Sequence, residues 1–448
     1  MPITGGGVET ADGALETADG ALETADGALA FVFEHDNIQS ISALIGAIET
    51  DGRFDDLEIR LLRTWSDLGE QVEGLAVRYR KVVVGFSFTT PRAEEIVHTV
   101  RRMRRHLRSR CLKNVTLVAG GPHPSGDWRQ TLGMGFDVVV VGEGESSFVE
   151  LLDCLYGASD FGHIGGLAYR RGPAMHCTGR STRVEDLDCY PPFADRFNLF
   201  SSIEITRGCP WACKYCQTTF LFGGRMRHRS VGNVVKWAEV SKRRDRLDMR
   251  FITPDAFAYG SDGRHLRLDL VAELLKRVNA VVGREHTYLG SFPSEVRPDS
   301  VSREAVELVR HLTVNDNILI GAQSGSQRML DLAHRGHTVD DIYRAVRIVL
   351  DAGFIANVDF IFGMPGETEQ DRRRTLRVIE DLAAMGARIH SHTFMPLAGT
   401  PWANSPPGTV DEETRLLLES LTGKGQHFGQ WRKQREAARA IAGFRETC

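Results

Sequence analysis

Short runs of β-branched and aromatic residues, each followed by a segment of helical periodicity, recur along most of this chain. The runs 81–88 (Lys-Val-Val-Val-Gly-Phe-Ser-Phe), 115–119 and 136–141 are apolar at nearly every position rather than at alternate ones. A strand apolar on both faces has to be covered on both, and the helical crossovers that cover it leave the strands parallel. A further strand is expected at 30–33, with helices at 40–49 and 94–110. Gly120-Gly121 and Gly142-Glu-Gly-Glu145 follow the carboxyl ends of two of these strands, the edge at which open α/β sheets bind ligands. The fold class expected for 30–158 is α/β, a doubly wound parallel sheet.

A second alternation begins after a Gly- and Pro-rich stretch, 159–198, which reads as a hairpin and linker. Strands are expected at 202–206, 250–253, 287–290, 318–322, 356–362 and 388–394. Helices are expected between them at 231–242, 268–278, 303–311, 339–352 and 369–385. About six such units over 199–402 suit a partial or complete (β/α) barrel with its chemistry on the carboxyl rim. Residues 403–448 read as a C-terminal helical cap. At the other end, Glu-Thr-Ala-Asp-Gly-Ala-Leu occurs three times in tandem, at 9–15, 16–22 and 23–29. Each unit carries a Gly and a single large apolar residue, which cannot build a coiled-coil seam. Residues 1–29 are therefore expected to be a low-complexity tail.

Composition removes several function classes. A net charge of -4 gives no general attraction to nucleic acid or acidic lipid. Arginines at 101, 102, 104, 105, 108 and 110 go round their helix without interleaved aromatics, so they read as a solvated face rather than an RNA site. No apolar run approaches the roughly 20 residues of a membrane span, and no signal pattern opens the chain. A cytoplasmic protein with no membrane or nucleic-acid partner is expected. Eight cysteines in 448 residues do not form a secreted disulfide framework, and three of them fall within eight residues, which points to a metal site.

Those three are Cys209, Cys213 and Cys216, in Cys-Pro-Trp-Ala-Cys-Lys-Tyr-Cys, just after an expected strand. Thiolates are the ligands iron–sulfur clusters prefer, and three of them leave one iron of a cubane open to a small chelator. A structural zinc site remains the alternative. It needs a fourth ligand, and the nearest histidine is His228, twelve residues on.

This loop and the motifs after it resemble the radical S-adenosylmethionine (SAM) superfamily over roughly 200–402. The resemblance implies a [4Fe–4S] cluster on the three cysteines, with SAM chelating the open iron. It also implies reductive cleavage to a 5′-deoxyadenosyl radical, fed by an external one-electron donor such as flavodoxin or ferredoxin. Tyr215 would lie by the adenine. Asp255, ending Phe-Ile-Thr-Pro-Asp, would hold the amino end of SAM. Gln323 and Ser324, in Gly-Ala-Gln-Ser-Gly-Ser, match the motif that contacts the ribose, with Gln in place of the usual Glu. Arg335 would meet the carboxylate or ribose, and Gly363 and Pro365, in Gly-Met-Pro-Gly-Glu-Thr, would lie near adenine.

Residues 31–150 resemble the cobalamin-binding domain that precedes many radical SAM enzymes. The matching pieces supply Ser87, Thr89, Thr90 and Arg92, then Gly120, Gly121, Pro122 and His123, then Gly142, Glu143, Gly144 and Glu145. Glycines without a β-carbon let the backbone approach a bulky nucleotide tail, and hydroxyls offer bonds to phosphate or amide. Glycine-rich strand ends of this kind also suit FMN or a dinucleotide, although no GxGxxG follows the first strand. The Asp-x-His-x-x-Gly motif of histidine-ligated cobalamin is replaced by Glu34-His-Asp-Asn-Ile-Gln39. The resemblance then implies base-off cobalamin without a histidine below cobalt, and Arg92 is the candidate neighbour of its lower face.

The function expected is methylation of an unactivated carbon of a small-molecule substrate by a cobalamin-dependent radical SAM enzyme. Ring contraction or cyclisation without methyl transfer is the second reading, and a non-catalytic cobalamin or redox sensor the third. Trp402, His427, Phe428 and Trp431 are candidate pocket-lining aromatics.

Overall fold

The computed structural model describes residues 25–447. The repeats at 9–15 and 16–22 lie outside them. Strands β1 (Ala25–Val32), β2 (Glu58–Leu62), β3 (Tyr79–Ser87), β4 (Val115–Gly120) and β5 (Val138–Val140) run parallel in the order β2-β1-β3-β4-β5. Helices α1 (Ile38–Glu49), α2 (Leu68–Arg78), α3 (Ala93–Ser109) and α6 (Glu145–Gly157) cover the sheet, with two short helices, α4 (Pro122–Gly126) and α5 (Trp128–Gly133), between β4 and β5. Alternate strand residues bury into two separate cores. Leu29, Phe31 and Val83 meet Ile41, Ile45 and Phe148 on one face, while Ala28, Ala30, Val82 and Val84 meet Val72, Ile96 and Val100 on the other. The doubly apolar runs thus have the two-sided cover they require. Strand order reverses between β1 and β3, and Ser87 closes β3 at that crevice.

Two boundaries differ from expectation. β1 starts at Ala25, inside the third heptad, so the tail does not extend to 29. There Gly27 lies against the Tyr156 ring, into which a Cβ would press, and the Tyr156 hydroxyl donates to the Ala28 carbonyl at 3.0 Å. The hairpin at 159–198 is no mere linker. β6 (Leu167–Arg171) and β7 (Ala174–Cys177) extend the first sheet antiparallel from β5, satisfying an edge that would otherwise be bare.

The second unit is an open barrel. β8 (Ile203–Glu204) pairs with β11 (Phe251–Ile252). Residues 287–290 bridge to the next strand, since Tyr288 N–H donates to Met249 at 3.0 Å and Leu319 N–H to Gly290 at 2.8 Å. β12 (Asn317–Gln323), β13 (Ile355–Phe362) and β14 (Arg388–Thr393) follow in parallel. A side ribbon, β9 (Thr206–Arg207) with β10 (Arg227–His228), brackets the cysteine loop and the short α7 (Thr218–Phe222). Helices α8 (Val231–Arg243), α9 (Leu268–Val282), α10 (Arg303–Leu312), α12 (Val339–Asp351) and α13 (Glu369–Ala384) pack outside, with α11 (Gln327–Leu332) at the rim. Ile318, Ile320, Val358, Phe360 and Ile389 belong to the outer core. The strand period of two therefore turns Gly321, Gln323, Asp359, His390 and His392 inward.

The C-terminal segment is more than a cap. Between α14 (Glu412–Gly423) and α15 (Trp431–Thr447), β15 (His427–Gly429) adds a seventh parallel strand beside β14. Among the described residues no helix is long and apolar enough to cross a membrane.

The two units meet backbone to backbone. A Cβ on Gly126 of α4 would overlap the Ala398 carbonyl, and one on Gly399 would overlap Gly126. Gly126→Val should cost about 1–3 kcal/mol by overpacking, read as a lower urea midpoint; an unchanged midpoint would show the contact to be loose.

Candidate active site between the two units

The loop carrying the three cysteines is built by local bonds. Thr219 Oγ1 donates to the Cys209 carbonyl at 2.7 Å and accepts from Ala212 N–H at 3.3 Å, which holds Ala212 at a left-handed φ of 52°. Lys214 N–H donates to Ala333 at 3.0 Å, tying the loop to the end of α11. Trp211 packs over Gly336, where a Cβ would overlap its ring, and the Arg297 guanidinium stacks on it at 3.8 Å. Burial pushes the Cys209 thiol up to about 11 and raises Cys216 as well. Their ionisation calls for a bound cation, which is what the irons of a cluster supply. His228 does not join the cysteines. Its Nε2 bonds the Ser261 carbonyl at 2.7 Å and its Nδ1 the Thr206 hydroxyl at 2.9 Å, so the zinc alternative loses its fourth ligand.

Polar groups converge next to Cys213. A Cβ on Gly321 would meet Gln323 Nε2 at 2.9 Å, Glu295 Oε1 at 3.0 Å and the Arg335 guanidinium at 2.6 Å. Arg335 lies 3.8 Å from Cys213 Sγ and donates to the Gly321 carbonyl at 2.6 Å, leaving its buried Nε without a partner. Asp255 is buried, accepting at Oδ1 from Phe257 N–H and the Ser300 hydroxyl, while its Oδ2 has no partner. Two orphaned buried groups of opposite charge, one acceptor and one donor, fit a zwitterionic amino-acid end. Arg335 thus lies beside the Cys213 thiol, and the Gln323 amide gathers with it over Gly321. Tyr215 packs against Met329, Met364, Phe394 and Trp402. Ser324 differs: its hydroxyl is taken by Thr375 at 3.2 Å and by Ser326 N–H at 3.1 Å, so it shapes the turn. Gly363, at φ 72°, gives passage to the backbone at 408–409, and Pro365 follows it in the same turn.

The first unit contributes a largely apolar cavity of about 390 Å³, lined by Ser87, Gly120, Gly121, Pro122 and Gly142 to Glu145. Across it stand Leu221, Phe222 and Ile252 of the barrel. Gly121 has φ 94°, and a Cβ there would press on Ser87 Oγ, so only glycine suits the turn. Thr89 and Arg92 line a smaller neighbour with Trp65, and Thr90 and His123 a third with Ala398 and Gly399. His123 is buried, which lowers it to about 4, and its Nε2 has no partner. Arg92 does not present a free cation. It is held by Glu34, by Asp36 at 3.1 Å and by Glu95 at 2.9 Å, so its charge is already matched.

Glu143 and Glu145 bind protein rather than open space. Arg227 Nη2 meets Glu143 at 2.6 Å, and Arg207 reaches Glu143 at 2.9 Å, Glu145 at 2.7 Å and Glu204 at 2.6 Å. Burial would raise Glu145, but the Arg207 charge and hydrogen bond outweigh it and hold the carboxyl below its usual range. This network and Glu295 were not foreseen. Of the four aromatics, Phe428 faces the barrel interior on His390, and Trp402 lies near Tyr215. Trp431 packs in the outer core, and His427 bonds Ser391 and Thr422.

Fold and site define a cobalamin-binding unit facing a cluster-binding barrel. The family comparisons agree: the Radical SAM superfamily matches residues 203–379 and the B12 binding domain residues 41–152. The chain belongs to the radical SAM superfamily members that carry a B12-binding domain, with a [4Fe–4S] cluster, SAM and cobalamin as cofactors. It is 25% identical to the uncharacterized protein MK0932 of Methanopyrus kandleri, over 82% of this chain and 75% of the relative. It is 33% identical to a tRNA-2-methylthio-N(6)-dimethylallyladenosine synthase of Moorella thermoacetica, over 49% of each chain. The structure of the radical SAM methyltransferase TsrM from Kitasatospora setae, with cobalamin and a [4Fe–4S] cluster bound, shares the fold. Its TM-score is 0.65 at 17% identity, covering 85% of this chain and 74% of that one.

Two outcomes follow from the site's charges. Removing one partner of a buried ion pair strands the other, so Arg227→Met should cost about 3 kcal/mol in urea unfolding; a loss below about 1 kcal/mol would show Glu143 to be adequately held by Arg207. Burial raises Asp255 from 3.8 to about 6 against the attraction of Arg297. A carboxyl raised in the folded state favours folding while protonated. That contribution is complete below about pH 4 and is lost as pH rises through 6. Without SAM, Asp255→Asn should exceed the parent in stability by up to about 3 kcal/mol at pH 8, and not at pH 4.

Proposed function

We propose that the protein methylates an unactivated carbon of a small molecule. The observation that carries this reading is the wall shared by the two cofactor sites. Gln217, next to Cys216, donates from Nε2 to the Pro122 carbonyl at 3.3 Å and to Ala398 at 2.8 Å. The loop that would hold the cluster is thus one residue from the glycine-rich loop at the cobalamin cavity. Bound there, the cofactors supply a 5′-deoxyadenosyl radical for hydrogen abstraction and methylcobalamin as methyl donor. The chain's part is to fix both against one substrate, using Arg335, Asp255 and Gln323 on SAM and the apolar wall of Leu221, Phe222 and Ile252 to exclude water. A methylthio transfer like that named for the Moorella relative is less well supported. The cysteines before the triad are Cys111, Cys154, Cys177 and Cys189, which form no second three-thiol loop.

Anaerobic protein reconstituted with iron, sulfide and cobalamin should cleave SAM to 5′-deoxyadenosine under dithionite, and Cys213→Ala should abolish it. Supplied with a small-molecule extract, it should also release S-adenosylhomocysteine with a product heavier by one methylene. Deoxyadenosine without S-adenosylhomocysteine would favour ring chemistry without methyl transfer. Absence of SAM cleavage would leave only a sensor.

A further inference from the structure

The barrel interior holds a second group of side chains that neither cofactor requires. Asp359 on β13 and His390 on β14 are direct cross-strand partners, and the register sets Gln323 level with Phe360, one residue above Asp359. The group therefore lies at the height of the SAM-side polar residues, on the same inner face.

His390 is hemmed in by its neighbours, among them the His392 ring, which meets it edge-on at 4.3 Å. Its Nδ1 lies 2.8 Å from Asp359 Oδ1. Its Cδ2 edge faces Gly429, where a Cβ would stand 3.1 Å away. Phe428 stacks on its face at 4.4 Å, nearly parallel. With Nδ1 and Cδ2 both engaged, Nε2 is the ring nitrogen left for a further partner. Among the described residues nothing bonds that nitrogen. Asp359 is buried, which would raise its carboxyl, but the hydrogen bond from His390 and the nearby His392 ring outweigh this and hold it below the usual range. An ionised Asp359 accepts the proton on Nδ1 and leaves the lone pair on Nε2.

Asp359, His390 and His392 bring one oxygen and two nitrogens within 4.8 Å, as a metal site would. Gln434 argues against an ion. Its Oε1 accepts from Thr393 N–H at 3.0 Å, which orients the amide so that Nε2 faces His392 Nδ1 at 3.1 Å. His392 Nδ1 is then an acceptor, so in the neutral ring the proton sits on Nε2, aimed at Asp359 Oδ2 3.6 Å away. A metal-ligating histidine needs the opposite arrangement, with its second nitrogen donating.

Building on the proposed methylation, we propose that His390 is a catalytic proton acceptor in the barrel, and that the substrate carries an N–H or O–H donor beside its reacting carbon. The donor's proton passes to His390 Nε2, and the electron pair of the broken N–H or O–H bond stays on the substrate, with no change of oxidation state in this step. Asp359 is the positioning residue that stabilises the resulting imidazolium, and His392, held by Gln434, keeps Asp359 in place.

Diethyl pyrocarbonate acylates an imidazole nitrogen whose lone pair is free, and can be applied to the cluster- and cobalamin-loaded protein at pH 8 with peptide mapping. His390 should be acylated at least ten times faster than His392 in the same molecule. Gln434→Leu should free His392 Nδ1 and raise His392 labelling several-fold while leaving His390 labelled. Equal labelling of the two histidines, or no labelling of His390, would overturn the proposal. So would protection of both by one equivalent of Zn²⁺ beyond the cluster iron. A protein that cleaves SAM but leaves His390 unlabelled removes the proton acceptor alone; one that labels as expected but never cleaves SAM removes the enzymatic reading instead.

Discussion

The ion network of Arg207 and Arg227 with Glu143, Glu145 and Glu204 is the constraint around which the two units are arranged. Arg207 ends the first barrel segment just before the cysteine loop, and Glu143 and Glu145 lie in the turn and helix start that follow the last parallel strand of the cobalamin sheet. Glu143 and Arg227 are almost wholly removed from water. Such pairs are weak sources of stability, because desolvation cancels much of their attraction. Their strength is directional. A bidentate guanidinium donates to carboxylates only along its own plane, so the network specifies how the carboxyl edge of one sheet meets the mouth of the other. Apolar contacts alone, such as the packing of Gly126 on Gly399, would tolerate sliding.

That arrangement explains why the cavity wall is mixed in origin. Pro122 and Gly142 come from the sheet, and Phe222 and Ile252 from the barrel. A ligand filling the cavity touches both units, and so adds to the interface that holds them together. Along this wall Arg207 and Arg229, with Arg227 behind them, balance Glu143, Glu145 and Glu204, so the wall remains effectively neutral, as suits a large and mostly apolar ligand.

Much of this was legible from residue order alone, and for a physical reason: the strands are doubly apolar and the cysteine spacing is local. The helices at 231–243 and 303–312 begin at Ser230 and Ser302, each capping its helix through its hydroxyl. What escaped were pairings between distant segments. Glu295 lies beyond a short bridging strand that lacks a long apolar run, and its partner Arg335 is forty residues away. The ion network joins side chains more than sixty residues apart. One signal was available. Arg388-Ile-His-Ser-His-Thr393 alternates polar and apolar or small residues within a strand buried on its outer face, which turns His390 and His392 to the interior. The extension of β1 into the third repeat had no such signal, because the three repeats are identical in sequence and nothing local marks the one whose Gly27 lies against Tyr156.

Gln323 joins these threads. It is not glycine, yet it holds a φ of 69°, at the place where the register between β12 and β13 shifts. Left-handed backbone costs a non-glycine residue roughly 1 kcal/mol or more, and a regular strand would avoid it. Beside this irregularity the Gln323 amide, Glu295 and Arg335 all gather over Gly321, a position where any β-carbon would displace them. The strain is therefore located where three polar side chains and a thiol must share a few ångströms, and the outer packing of Ile318 and Ile320 on the helices holds the strand that bears it.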